Sequence, residues 1–432
     1  PMSYHFLLDL ALILLTTKLF GMVTKRFQLP QVVGALIAGL VMGPAMLNII
    51  HSTEFLSQLS ELGVIVMMFT AGLGTNLDDL KQSGKPGLLV ASFGVLTPLL
   101  GGTLLAFFFN DTTAPNHLLQ DVFIGVVLTA TSVSITVAVL KELGKLTTHV
   151  GNTILSAALI DDILGLVALT IVTSIGGAAD VSISIVLIKI VAFFIFLAVV
   201  AVLAQKFMAW YAARFKSADL QRYPIFAFVL CLVLAFSAEH FFGVADIIGA
   251  FAAGLIVSTT SKAKYIETKF SPLSYLLLTP IFFASVGLKV ELPKMDAKIL
   301  LFALLLVVVA ILAKIIGCGF GAKICGMKPH QCLQVGVGMA CRGEVALIVA
   351  NKGIAMGLMP DIFFGPIILM VITCAIATPV MLKLAFRKSP AYDDLQESTL
   401  VDRMEEVEQL DYISENLIRA NKHMMDKKNK KK

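Results

Sequence analysis

Residues 156–169 read SAALIDDILGLVAL. Asp161 and Asp162 sit side by side in a stretch that is otherwise apolar but for Ser156. An ionised carboxylate at the centre of a membrane helix costs roughly 2.5–3.5 kcal/mol on insertion scales. A chain that carries two of them there needs a reason. The reading of this stretch decides the rest.

The composition makes it a membrane helix. The chain has 432 residues, of which 57% are hydrophobic and 15% charged. Soluble domains carry about 25% charged residues. That much apolar surface has nowhere to hide outside a bilayer. A span needs about 20 apolar residues, and fewer inside a bundle. Thirteen stretches qualify, at roughly 5–23, 30–49, 59–74, 87–109, 120–140, 150–176, 182–205, 224–242, 244–259, 270–288, 298–322, 332–352 and 361–386. The first of these carries Asp9 and Lys18 and reads as a mature helix, not a cleaved signal peptide. The six cysteines are scattered with no Cys-x-x-Cys pair, so neither disulfides nor a zinc site are expected. Nothing in the composition points to a nucleic-acid partner or a cofactor.

Loop charges orient the spans. With the N-terminus outside, the inner loops hold Lys25 and Arg26, Lys81 and Lys85, Lys141 and Lys145, Lys206, Arg214, Lys216 and Arg222, Lys262, Lys264 and Lys269, and Lys323 and Lys328. Most outer loops hold none, although Lys289, Lys294, Lys298 and Lys352 depart from the pattern. The bias predicts N-outside and C-inside. Residues 387–432 are charged and weakly amphipathic and read as a cytoplasmic tail. Asp246, Glu239 and His240 read as a wet loop at the outer end of the eighth span.

An internal repeat runs through the apolar part. VVGALIAGLVM (32–42) matches IIGAFAAGLIV (247–257) at an offset of 215 residues. FTAGLGTNL (69–77) matches ASVGLKVEL (284–292) at the same offset, and GVVLTATS (125–132) falls near GVGMACRG (336–343) at 211. The paired spans are seven apart, an odd number, so the two halves run in opposite directions. Inverted-topology repeats recur in secondary transporters, with the substrate near the midplane.

Asp162 is about twelve residues into its helix, hence ~18 Å along the axis at 1.5 Å per residue. That depth is near the bilayer centre. Neighbouring helical residues point about 100° apart, so the two carboxylates face different surroundings. Lys314, in VVVAILAKIIGCGFG (307–321), is also mid-span. An Asp–Lys pair keeps both groups charged and leaves both easy to neutralise when something displaces the partner. Asp161 is paired here with Lys314, which leaves Asp162 facing an ion. VVLTATSVSITVAV (126–139) is rich in hydroxyls, among them Thr131 and Ser132. They either line a broken helix whose freed oxygens replace a cation's water shell, or bond to carbonyls four residues back in an intact one. The second reading is preferred for Ser134 and Thr136. Arg342-Gly343-Glu344 puts two charges around a glycine in an apolar run. They either compensate half-helix ends or pair with each other.

LTATSVSITVAVLKELG, ILSAALIDDILGL, PIFFASVGLKVEL and RGEVALIVA together resemble the cation:proton antiporter superfamily. The branch is that of the bacterial NapA-like sodium/proton antiporters, distantly related to NhaA. The resemblance covers roughly residues 15–386. It implies an all-α polytopic membrane protein with about thirteen transmembrane helices, inverted-topology repeats and two discontinuous crossing helices. It implies a homodimer in the bacterial inner membrane, with residues 1–386 as the exchanger. A core of about 87–176 and 298–386 would shift, elevator-like, against a dimerisation part of about 24–74 and 182–288. Asp162 would match the ion-binding carboxylate, Asp161 its neighbour salt-bridged to Lys314, and Thr131 and Ser132 the helix break. Gly74 stands where many relatives have a glutamate.

The expected activity is exchange of Na⁺ (or Li⁺) for protons, electrogenic if two titrating units serve one cation. K⁺/H⁺ exchange on the same fold is the closest alternative. A channel and an intramembrane aspartyl protease are more distant ones. The protease needs two carboxylates sharing a proton from different helices, and here the pair is adjacent on one.

Overall fold

The computed structural model describes residues 4–27, 29–110, 116–175, 183–214, 222–290 and 296–387. The charged tail expected from 387 onward therefore lies outside the described residues, apart from Arg387 itself. Seventeen α-helices and no strand occur among the described residues. The first half comprises α1 (His5–Arg26), α2 (Gln31–Met42), α3 (Glu54–Leu73), α4 (Leu77–Gln82), α5 (Gly84–Phe109), α6 (His117–Thr129), α7 (Val133–Glu142) and α8 (His149–Ile175). The second comprises α9 (Ile183–Arg214), α10 (Arg222–Ser237), α11 (Asp246–Ser258), α12 (Ala263–Leu273), α13 (Thr279–Leu288), α14 (Ala297–Ile324), α15 (Pro329–Gly338), α16 (Glu344–Ala355) and α17 (Phe364–Arg387).

Ten of these stretches are long and apolar enough to cross a membrane, counting α6 with α7 and α12 with α13 as single spans. The chain is a multi-pass, all-helical membrane protein. α2, α11 and α16 are apolar but shorter. Local chemistry sets several ends. Thr53 Oγ1 accepts the Leu56 N–H at 3.2 Å to cap α3. Pro329 opens α15, where Gln331 Oε1 accepts the Lys328 N–H at 2.9 Å. A short π-turn, Ala238–Phe242, closes on Gly243 in the left-handed region, at φ 66°.

The repeat is visible as interlocking packing. A Cβ on Gly39 of α2 would strike the Ala284 carbonyl of α13, and one on Gly254 of α11 would strike the Phe69 carbonyl of α3. Each residue of the first contact is 215 positions from its counterpart in the second. The same relation joins Gly72 against Phe251 with Gly287 against Leu36. Only glycine allows backbones this close. The paired helices are thus exchanged between halves, α2 with α13 and α3 with α11.

A second group follows the same rule. α5 packs along α14, where Gly317 meets the Phe93 carbonyl and Gly101 meets the Val309 side chain. These two contacts correspond at an offset of 216. α6, α8, α15, α16 and α17 gather around this pair.

Candidate functional site

Asp161 and Lys314 meet inside the second group. Lys314 Nζ donates to Asp161 Oδ1 at 2.7 Å, and neither side chain has measurable contact with solvent beyond 1%. The span of α14 that carries Lys314 is held to α5 one turn away. There Thr97 Oγ1 donates to the Ala313 carbonyl at 2.8 Å. Gly94 of α5 faces the pair. A Cβ there would lie 3.7 Å from both Asp161 Oδ1 and Lys314 Nζ, and 2.5 Å from Cys318 Sγ. Pro98, four residues on, has no N–H to return to the Gly94 carbonyl. Gly94 thus leaves open, beside the ion pair, the space a side chain would fill. The sequence reading missed it, although a Gly and a Pro at helical i, i+4 spacing in an apolar run were signals for it.

Asp162 points elsewhere, as the 100° step requires. It is only half-buried. Its Oδ2 is shielded from solvent and has no hydrogen-bond partner among the described residues. Leu159, Ile163, Leu166 and Val167 of α8 belong to one apolar cluster with Ile190 and Phe193 of α9 and with Val244, Ala245, Ile247 and Ile248 at and just before the start of α11. Asp162 directly precedes Ile163 of that cluster in the chain. Asp246 is correspondingly not in a loop. It is the first residue of α11, half-buried, with Oδ1 accepting the Ile247 N–H at 2.8 Å. Glu239 and His240 are exposed, on the π-turn.

The chain between α6 and α7 is non-helical at 130–132, and that between α15 and α16 at 340–343. The two interruptions touch. The Ser132 N–H donates to the Cys341 carbonyl at 3.0 Å, and Gly343 lies against the Ser132 side chain. Thr131 and Ser132 are both in this segment and both buried. Thr131 Oγ1 donates to the Thr129 carbonyl at 3.4 Å, and Ser132 Oγ lies 3.4 Å from Ser134 Oγ. Thr136 differs from expectation. Its hydroxyl donates to the Gly338 carbonyl of α15 at 2.8 Å, across the crossing. A freed carbonyl at the end of a half-helix is a better acceptor than one already used inside its own helix.

Two half-helices end in carbonyls at this crossing, which concentrates negative dipole there. Arg342 answers it. Its guanidinium is fully buried and donates to the carbonyls of Met339, Cys341 and Ala310 at 3.3–3.4 Å. These carbonyls, at the break and on α14, are the acceptors its guanidinium meets among the described residues. Glu344 opens α16, and its side chain lies outside the described residues. Thr129 Oγ1 would lie 3.8 Å from a Cβ on Gly165 of α8, so the end of α6 adjoins α8 about one turn from Asp161 and Asp162.

The arrangement holds a neutralised ion pair, an unpaired carboxylate, and freed backbone oxygens beside it. Such a constellation can exchange a hard monovalent cation for protons. Comparison with known proteins agrees with it. Residues 11–388 match the family described as sodium/hydrogen exchanger, transmembrane. The chain belongs to the sodium/hydrogen exchanger family. This is a family of transporters rather than enzymes. Two curated relatives are the Na(+)/H(+)-K(+) antiporter GerN of Bacillus cereus and the Na(+)/H(+) antiporter of Enterococcus hirae. The first is 39% identical over 89% of this chain and 97% of its own. The second is 35% identical over 88% and 97%. Among solved structures, the sodium proton antiporter MjNhaP1 from Methanocaldococcus jannaschii superposes with a TM-score of 0.65 at 18% identity, over 88% of this chain and 97% of that one. At that identity the likeness speaks for the fold.

Proposed function

We propose that this member of the exchanger family trades a monovalent cation, Na⁺ or Li⁺ first, for protons at Asp162. The observation that carries the reading is the division of labour within the aspartate pair. Asp161 is spent on Lys314, while Asp162 keeps a shielded oxygen without a partner among the described residues. A cation seated on Asp162, with oxygens of Thr131, Ser132 and the α6 end completing its shell, leaves no room for a proton on the same carboxylate. Glu344, at the start of α16, balances the positive ends of the half-helices.

Asp161 and Lys314 part and rejoin as the cation comes and goes. Two titrating units per cation make the cycle electrogenic, and the membrane voltage then contributes about 2.3 kcal/mol per net charge per 100 mV. Inside-negative potential drives the cation out and protons in. The core, residues 87–176 and 298–386, moves as one piece against residues 24–74 and 182–288. A homodimer is built on that second part. Placement in a bacterial cell membrane, with the N-terminus outside and the C-terminus in the cytoplasm, agrees with the loop charges and with the bacterial relatives.

The test is proton flux in proteoliposomes titrated with Na⁺, Li⁺ and K⁺, with and without a clamped potential. Asp162→Asn should abolish exchange. Full activity in that variant removes Asp162 from the ion site. A response to K⁺ alone moves the chain to K⁺/H⁺ exchange on the same site.

A further inference from the structure

The two repeats correspond residue by residue, but the fold does not treat them alike. α7 packs against α2 and α3. At its last turn Glu142 accepts the Gln31 N–H through both carboxylate oxygens, at 2.8 and 3.0 Å, and so caps α2. Its neighbour Lys141 donates to Thr70 Oγ1 of α3 at 3.3 Å. One end of the bundle is tied shut by these contacts.

The repeat carries the same positions to the opposite end. α16 begins 211 residues after α7, and α11 begins 215 after α2. Lys141 therefore corresponds to Lys352, Thr70 to Ser285, and Gln31 to Asp246. Glu142 corresponds to Gly353, and α11 opens on its own acid instead. At this end the contacts are not made. α16 packs on α6 and α17 and has no comparable packing on α11 or α13. Lys352 is exposed and enters no hydrogen bond or ion pair among the described residues. Ser285 is 4% exposed, and its Oγ has no hydrogen-bond partner.

We infer that Lys352, Ser285 and Asp246 are the counterpart latch, made in the other state of the transport cycle. In that state Lys352 donates to Ser285 Oγ and lies beside the Asp246 carboxylate. The two latches exclude each other for a mechanical reason. α7 is bound at the crossing to the end of α15 and to the segment that leads into α16, by the Thr136–Gly338 and Ser132–Cys341 hydrogen bonds. Pressing α16 onto α13 draws α7 off α3. Lys352 and Ser285 are positioning residues: they touch no transported ion and set how the two states are populated. The inference rests on the exchange reading above and adds the residues that hold its second state.

Cross-linking tests it. Ser285→Cys with Lys352→Cys, in the full chain in proteoliposomes, is oxidised under turnover. We expect a cross-link well above either single variant, arrest of flux, and recovery on reduction. Adding Glu142→Gln, which weakens the made latch, should raise the yield. No cross-link in either background, in protein that still transports, overturns the latch and leaves exchange at Asp162 standing. Loss of cation-dependent flux in the unmodified chain overturns both. A double variant that does not fold is replaced by Lys352→Gln and Lys352→Arg. The first should shift the state equilibrium by about tenfold, as loss of a charged hydrogen bond does. It should lower maximal rate and change cation KM in opposite senses on the two sides, and the arginine variant should restore both. Unchanged kinetics in Lys352→Gln count against the latch as firmly as a missing cross-link.

Discussion

Lys314 Nζ and Asp161 Oδ1 stand 2.7 Å apart with no water access to either side chain beyond 1%. Removing one partner of such a pair leaves a stranded charge, typically at a cost of about 3–5 kcal/mol. Lys314→Met alone should lower the melting temperature of the detergent-solubilised protein sharply. Asp161→Asn combined with Lys314→Met should recover much of the loss, because both charges leave together. Thermal unfolding of the two single variants and the double closes that cycle. An additive double variant would mean that the pair does not act as a unit.

Cation and proton compete for Asp162 in the proposed cycle, and the sign of the pH effect follows. Acid favours the protonated carboxylate, so flux falls as pH drops. More cation displaces the proton, so the pH of half-maximal flux should move downward as cation rises. A cation that displaces one proton shifts it by about one pH unit per tenfold concentration, and one that displaces two by about half a unit. The slope in proteoliposomes thus reads stoichiometry. A half-point indifferent to cation would contradict competition.

Gly94 offers a suppressor experiment. Its substitution by alanine places a methyl 2.5 Å from Cys318 Sγ, well inside contact distance. Gly94→Ala should reduce exchange by displacing α14 and with it Lys314. Cys318→Ala opens the needed space and should rescue the double variant. Flux measurements on the three variants decide it; rescue by Cys318→Ala is the outcome a general folding defect would not give.

Arg342 serves three carbonyls, one on α14 and two in the break between α15 and α16. Arg342→Lys keeps the charge but loses the planar fork that reaches both α14 and the break. It should retain folding and lose most of its transport rate. Arg342→Gln should lose stability as well, by about 1–3 kcal/mol for buried acceptors left unpaired. Comparing melting temperature with maximal rate separates the two effects.

Much of this was legible in the chain. The pairing of Asp161 with a base on a distant span followed from the cost of charge in hydrocarbon. The repeat followed from glycines at a fixed offset, because close backbone approach admits no other residue. Other features were hidden for physical reasons. Thr136 bonds across the crossing, a choice that depends on which carbonyls the tertiary arrangement sets free. Asp246 looked like loop because a three-residue gap separates it from an apolar helix, and hydropathy does not say which helix group covers it. Gly94 was overlooked because a glycine acts through what is absent. The carbonyls that Arg342 meets, of Met339, Cys341 and Ala310, depend on the tertiary arrangement and on nothing in its local sequence.

The glycine contacts have a consequence for how the chain is made. α2 closes on α13 and α3 on α11, so each early helix waits for a mate that leaves the ribosome some two hundred residues later. Until then Gly39 and Gly72 present bare backbone to lipid or to an insertion chaperone. The amino-terminal half expressed by itself should therefore be degraded, and co-expression of both halves as separate polypeptides should rescue each.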